Sequence, residues 1–224
     1  MPADVLGVFV KAPDPGAVKT RLAADIGAEQ AAALYRRMGR ALVAECVAPG
    51  RHRTIAWFSP ASRVTAVLEW LEDCGHDGIL CQSPGGLGER LAAAFERHFA
   101  EGARRVVVIG SDCPQVGVSL VRQAFRALED ADLVIGPALD GGSYLLGLNA
   151  PAPSLFHDIQ WSTEVVYRQT MDQAGRLNLS MAVLPELRDL DTVADARALG
   201  LLPPDPHPPK GTLNATGPGH PRRT

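Results

Sequence analysis

Several structural and functional classes are missing from this chain of 224 residues. No apolar run approaches the ~20 residues that span a bilayer, so no membrane partner is expected. The apolar opening, Val5 to Val10, is too short for a secretory signal and is interrupted by Lys11, which points to a cytoplasmic protein. Cysteine is sparse. Cys46, Cys74, Cys81 and Cys113 form neither a C-x-x-C pair nor a zinc-type spacing, and free thiols in a reducing compartment are the simplest reading. A large excess of one charge is absent too. The formal net charge of -3 argues against general nucleic-acid binding and leaves a local basic pocket open. No internal repeat is visible, and no Ser/His/Asp or Cys/His order stands out.

What is present is the composition of a globular protein, 46% hydrophobic and 21% charged, long enough for one domain with a sizeable core. The character changes at Pro203. Seven of the 18 prolines lie from there to the end, with few apolar residues to offset the entropy of ordering. Residues 1–202 are therefore expected to fold as a unit, and 203–224 to form a disordered tail. That tail carries +2, leaving -5 on the folded part.

Strand and helix patterns alternate along the chain. Helical spacing is read over Ala28 to Val47, over Ser62 to Asp73 with Ser62 as cap and Val64, Val67, Leu68 and Leu71 inward, and over Leu87 to Glu101. It recurs over Val118 to Glu129, near Thr163 to Ala174, and from Asp191 or Thr192 onward. Strands are read at Val5 to Val10, Arg53 to Phe58, Gly78 to Gln82, Arg105 to Gly110, Asp132 to Gly136, Ser143 to Leu148 and near Leu179 to Leu184. Val106-Val107-Val108-Ile109, β-branched throughout, suits a central strand covered on both faces. The alternation predicts an α/β sandwich with a mainly parallel sheet. The close pair of strands around Asp140-Gly141-Gly142 leaves room for one antiparallel member. Ligands in such folds gather at the carboxyl ends of the strands.

Four segments next to predicted strand ends carry chemistry. The first loop, Lys11 to Leu22, offers Lys11, Lys19, Arg21 and the backbone near Gly16 to an anion, although its G-x-x-K-T-R order is neither a Walker A nor a G-x-G-x-x-G signature. An ordinary βα loop with solvated basic residues explains it equally. Asp112, just past the apolar strand, suits a hard cation such as Mg²⁺, or caps the following helix. Asp140-Gly141-Gly142 is a hairpin turn or a second carboxylate at the same sheet edge. In Asp189-Leu190-Asp191-Thr192, alternation would turn one carboxylate inward, while Thr192 and Asp195 have capping-box spacing. Gly85 to Arg90 opens a helix with little bulk, so a planar base fits against it, or it is a flexible turn. Trp161 walls an acceptor pocket or belongs to the core. Among the histidines only His157 falls near this group, and the others read as surface residues.

In this order, Phe9-Val10-Lys11-Ala12-Pro13, Gly16-x-Val18-Lys19-Thr20-Arg21-Leu22, Leu87-Gly88-Glu89-Arg90, Gly110-Ser111-Asp112-Cys113-Pro114, Gly136-Pro137-x-x-Asp140-Gly141-Gly142, Trp161-Ser162-Thr163 and Asp189-Leu190-Asp191-Thr192 form a linked set. The set resembles the bacterial nucleotide-diphospho-sugar transferases often labelled arsenosugar-biosynthesis-type glycosyltransferases, over about residues 5 to 200. It is also similar to molybdenum-cofactor and phospholactate guanylyltransferases. The resemblance implies a three-layer α/β/α fold of GT-A type. It also implies a metal-dependent enzyme that uses a nucleotide-activated donor and a small acceptor. Lys11, Pro13, Gly16, Lys19 and Arg21 would hold the donor phosphates, Leu87 and Gly88 the base, and Asp112 with Asp191 Mg²⁺ or Mn²⁺. Asp140, Gly141, Gly142 and Trp161 would face the acceptor, and Lys19, Arg21, Asp112 and Asp140 would carry catalysis. Glycosyl transfer, nucleotidyl transfer and nucleotide binding without turnover remain open at this level.

Overall fold

The computed structural model describes residues 3–204. The tail expected from 203 onward lies outside the described residues past Pro204.

The β-branched run forms strand β4 (Val106–Gly110), buried on both faces. It pairs in parallel with β1 (Asp4–Lys11), in the register Val5 with Val106 through Phe9 with Gly110. Its other neighbour is β6 (Ser143–Leu148), which runs antiparallel to it. Outward from β1 lie β2 (His52–Ser59) and β3 (Gly78–Cys81), both parallel. Beyond β6 come β5 (Leu133–Pro137) and β7 (Met181–Val183). The seven-stranded order is β3-β2-β1-β4-β6-β5-β7. The antiparallel strand allowed by the sequence is thus β6, seated inside the sheet between β4 and β5. The strand order switches direction between β1 and β4, and ligands collect outside the carboxyl ends at such a point in open α/β sheets.

Alternate side chains of each strand feed two cores. Val8, Val107 and Ile109 meet α1 (Thr20–Ile26), α2 (Ala28–Cys46), α3 (Val64–Leu71), α5 (Val118–Ala127) and α7 (Val193–Ala198) on one face. Phe9, Val106 and Val108 meet α4 (Leu87–Ala100), α6 (Val166–Arg176) and the 3-10 turn Pro153–Phe156 on the other. The result is the three-layer α/β/α sandwich.

Three local expectations give way to packing. Helix α1 follows the first loop directly and is parted from α2 by Gly27, whose φ of 86° ends it. Helix α3 begins after a 3-10 turn at Ala61–Arg63, so Ser62 caps nothing. It turns Trp70 inward and leaves Val64 and Leu68 exposed. The indole N–H of Trp70 donates to the Arg36 carbonyl at 2.9 Å, and its ring fills the gap left by Gly39. Burying the largest apolar surface outweighs the aliphatic stripe. His52, read as a surface residue, is buried, and so is His98, on the inward face of α4. His98 Nε2 accepts the Trp57 indole N–H at 3.1 Å, while His157 is exposed.

Candidate functional site

A cleft of about 680 Å³ opens at the carboxyl ends of β1 and β4, where the β5–β6 turn and the segment before α7 also arrive. The first loop enters it because β1 stops at Lys11 and the chain turns through Ala12 to Gly16. Lys19 then takes a left-handed conformation (φ 49°, ψ 46°) at the head of α1. That backbone, uncommon outside glycine, sends its side chain inward, where it is only 8% exposed. The Lys19 ammonium is ion-paired with the Asp112 carboxylate. It also donates to the Leu190 carbonyl at 2.5 Å and lies 5.8 Å from the centroid of the Tyr35 ring. Lys11 Nζ donates to the Ala17 carbonyl at 2.7 Å, and Arg21 Nη1 donates to Asp191 Oδ2 at 2.6 Å.

Beneath these cations sits Tyr35 of α2, a residue with no signal in the sequence beyond helical spacing. Its hydroxyl accepts the Lys11 backbone N–H at 3.0 Å and shares a hydrogen with Ser111 Oγ at 2.8 Å, tying the loop to the exit of β4. Burial, and then the charge of Asp112, push its phenol well above the usual range. Tyr35 is therefore a neutral brace.

The acidic side is made by three segments. Asp112 follows β4 and stays half-exposed, and its carbonyl accepts Leu190 N–H at 2.8 Å. This bond brings Asp189 and Asp191 to the same rim. Asp140 Oδ1 accepts Gly142 N–H at 2.8 Å, closing the turn between β5 and β6. Gly141 (φ 86°) is required, because a Cβ there would collide with the Glu164 backbone; its carbonyl accepts Tyr167 N–H at 3.0 Å at the start of α6. Asp189 was legible only as one of two alternating carboxylates. It is half-buried, and burial, then Asp140, with Asp112 adding, push its carboxyl above the usual range against the pull of Lys19. Asp191, two residues on, lines the cleft as well and pairs with Arg21. The Thr192–Asp195 capping box forms as spaced, with Asp195 N–H donating to Thr192 Oγ1 at 3.2 Å. Cys113 is buried, and burial followed by the surrounding aspartates raises its thiol far out of reach of reactivity.

The cleft thus gathers Lys11, Lys19, Arg21, Leu87, Asp112, Asp140, Gly142, Trp161 and Asp191, and adds Tyr35, Gln82, Ser111 and Asp189. Pro13 lies instead in a separate groove beside Arg36, Arg37 and Arg40 of α2. Gly16 is exposed at the loop turn, and Gly88 and Gly141 stand behind the cleft wall. Gly88 is covered by Trp161: a Cβ there would collide with the indole, which stacks in turn on Phe156 at 6.3 Å and 25°. The expected base and acceptor subsites therefore share this wall. Leu87 remains exposed toward the cleft. Among the described residues, no group of three or more His, Cys, Asp or Glu side chains is arranged to hold a metal by itself. The donor set is nonetheless all oxygen, from several aspartates on one rim, which matches a hard cation completed by ligand oxygens.

A family model described as "Uncharacterized protein conserved in bacteria (DUF2064)" matches residues 42–163. No curated protein matches the chain. Among solved structures, a protein of Desulfovibrio desulfuricans G20 provisionally named a nucleotide-diphospho-sugar transferase is 35% identical. That match covers 89% of this chain and 87% of the other, with a TM-score of 0.82. The inositol-1-phosphate CTP transferase of T. maritima is 13% identical over 89% and 94% of the two chains, with a TM-score of 0.55. A cytidylyltransferase of Leptospira borgpetersenii is 11% identical over 89% and 85%, with a TM-score of 0.54. At these identities the last two share the fold alone.

Proposed function

The chain belongs to the DUF2064 family of bacterial proteins, and from that premise we propose that it is a transferase that moves a sugar from a nucleoside-diphospho-sugar to a small acceptor. The observation that carries this reading is the meeting of Lys11, Lys19 and Arg21 with Asp112, Asp140, Asp189 and Asp191 in one cleft at the strand ends. Basic groups fit the donor phosphates, and a carboxylate rim fits the cation that accompanies them. The D. desulfuricans relative, by its name, supports the donor class.

Lys19 and Arg21 hold the diphosphate and stabilise the charge that grows on it as the bond to the anomeric carbon breaks. The apolar end, with Leu87 and Trp161, takes the base and walls the acceptor. Asp140 accepts the proton of the acceptor hydroxyl as its oxygen bonds the anomeric carbon. Asp112, with Asp189 and Asp191 on the same rim, would hold Mg²⁺ or Mn²⁺, which supplies Lewis-acid neutralisation of the leaving phosphates.

One observation favours a second reading. Three cations in a single loop suit a triphosphate at least as well as a sugar diphosphate, and in that case an acceptor phosphate attacks the α-phosphorus and pyrophosphate leaves. Incubating the protein and Mg²⁺ with panels of NDP-sugars, NTPs and acceptors separates the two. Release of a nucleoside diphosphate is expected. Release of pyrophosphate instead selects the second reading, and tight binding with neither product makes the chain a nucleotide-binding module.

A further inference from the structure

Each cation that the first loop offers to an anion already has a partner inside the protein. For Lys11 it is the Ala17 carbonyl, and for Arg21 it is Asp191. The Arg21 pair is open to water, with its side chain 77% exposed, so it yields readily. The Lys19 pair is different. Its side chain is 8% exposed, and its ammonium is held by the Asp112 carboxylate, by the Leu190 carbonyl and over the Tyr35 ring. The left-handed backbone at Lys19 and the Leu190 N–H bond to the Asp112 carbonyl fix both ends of this pair.

A bare anion that takes hold of the Lys19 ammonium competes for it with Asp112. That leaves the Asp112 carboxylate without its cation, on the rim it shares with Asp140, Asp189 and Asp191, beside fresh negative charge. A phosphate that arrives with a divalent cation meets no such penalty, since Asp112 exchanges one cation for another and Lys19 becomes free for the phosphate. Resting on the reading above that this cleft holds donor phosphates, we infer that Asp112 is a specificity residue. By holding Lys19, it rejects metal-free phosphate anions and admits metal-complexed ones. The same carboxylate thus serves selection as well as cation binding.

The test is a calorimetric titration of the full chain with inorganic pyrophosphate, in Mg²⁺ and in EDTA. The wild type is expected to bind at least ten-fold more weakly in EDTA. Asp112→Asn is expected to bind metal-free pyrophosphate at least ten-fold more tightly than the wild type does. Simple relief of repulsion would give a gain too, so a double-mutant cycle isolates the pair. In a Lys19→Met background, only relief of repulsion is left, and Asp112→Asn should bring a clearly smaller gain. Equal wild-type affinity with and without Mg²⁺ overturns the inference without need of any variant, and so does a gain of undiminished size without Lys19. Failure of the wild type to bind pyrophosphate even with Mg²⁺ sinks the phosphate reading itself, a result distinct from the other two.

Discussion

At their amino ends β1 and β4 meet in one charged cluster, and at their carboxyl ends they open onto another. In the first, Arg105 grips the Asp4 carboxylate with two bonds, Nη2 at 2.7 Å and Nε at 3.0 Å, and Arg104 adds a longer pair. Arg105 Nη1 continues to the Phe125 carbonyl at 2.6 Å and to Glu129, joining the sheet to the end of α5. Both Asp4 and Arg105 are buried. Burial alone would raise the Asp4 carboxyl, but the two guanidiniums outweigh it and hold it below the usual range. In the second cluster Asp112, Asp140, Asp189 and Asp191 outnumber Lys11, Lys19 and Arg21, and burial with neighbouring carboxylates pushes Asp189 upward. Matched charge closes the amino end as architecture. The surplus of carboxylate at the carboxyl end fits the cation of the proposed reading.

Breaking each cluster should therefore hurt a different property. Arg105→Met leaves the buried Asp4 carboxylate to the longer pair from Arg104, and a loss of about 3 kcal/mol is expected, read as a lower urea midpoint with turnover per folded molecule unchanged. Asp112→Ala is expected to cut turnover by at least ~100-fold, measured as nucleoside diphosphate release, while stability shifts by under ~1 kcal/mol because the group is half-exposed. A reversed outcome, with Asp112→Ala unfolding the chain and Arg105→Met silencing it, would sink the division. Gly88→Ala probes the wall between the subsites. Its Cβ meets the Trp161 indole, so a rise in donor KM of about five-fold, worth ~1 kcal/mol, is expected with kcat less affected.

The carboxyl-end cluster was the more legible of the two in sequence. Each of its members follows a strand pattern ended by Gly, Pro or Asp, and position relative to a strand is a local property. What the local pattern left open was how Asp189 and Asp191 divide their partners, Asp191 with Arg21 and Asp189 among Asp140, Asp112 and Lys19, since that depends on where Leu190 pairs with Asp112 across the cleft. Tyr35 was hidden because its hydroxyl serves Lys11 and Ser111, 24 and 76 residues away. Asp4 and Arg105, separated by 101 residues, carry no local mark at all. Their partnership is created by the register of two strands. Trp70 against Leu68 shows the same limit inside one helix: periodicity names candidates, and the neighbouring helix chooses among them.

The smallest expected effect concerns pH and divides the molecule along the same line. His52 and His98 are buried, and burial lowers both, against the pull of the Cys46 carbonyl and Asp4 on His52 and of Glu101 on His98. An unfolded chain then binds protons that the native state refuses, so their stabilisation is complete above about pH 6.5 and is lost as pH falls through the lower native values. Asp4 behaves likewise in a lower window. Its native carboxyl titrates below 3.8, so its contribution stands above that pH and disappears as pH falls through the native value. Urea midpoints followed downward from pH 8 should hold, decline from about pH 6.5, and decline again below about pH 3.8, each group adding at most ~1.4 kcal/mol per pH unit. His98→Gln keeps an acceptor for the Trp57 N–H and should flatten only the upper decline. Arg105→Met should reduce only the lower one, to which Glu101, Asp132 and Asp195, also held below their usual range, still contribute. If one variant moves both limbs together, the amino-end ion pair and the buried histidines titrate as one system, and the two ends of the strands are not independent in the way their charges suggest.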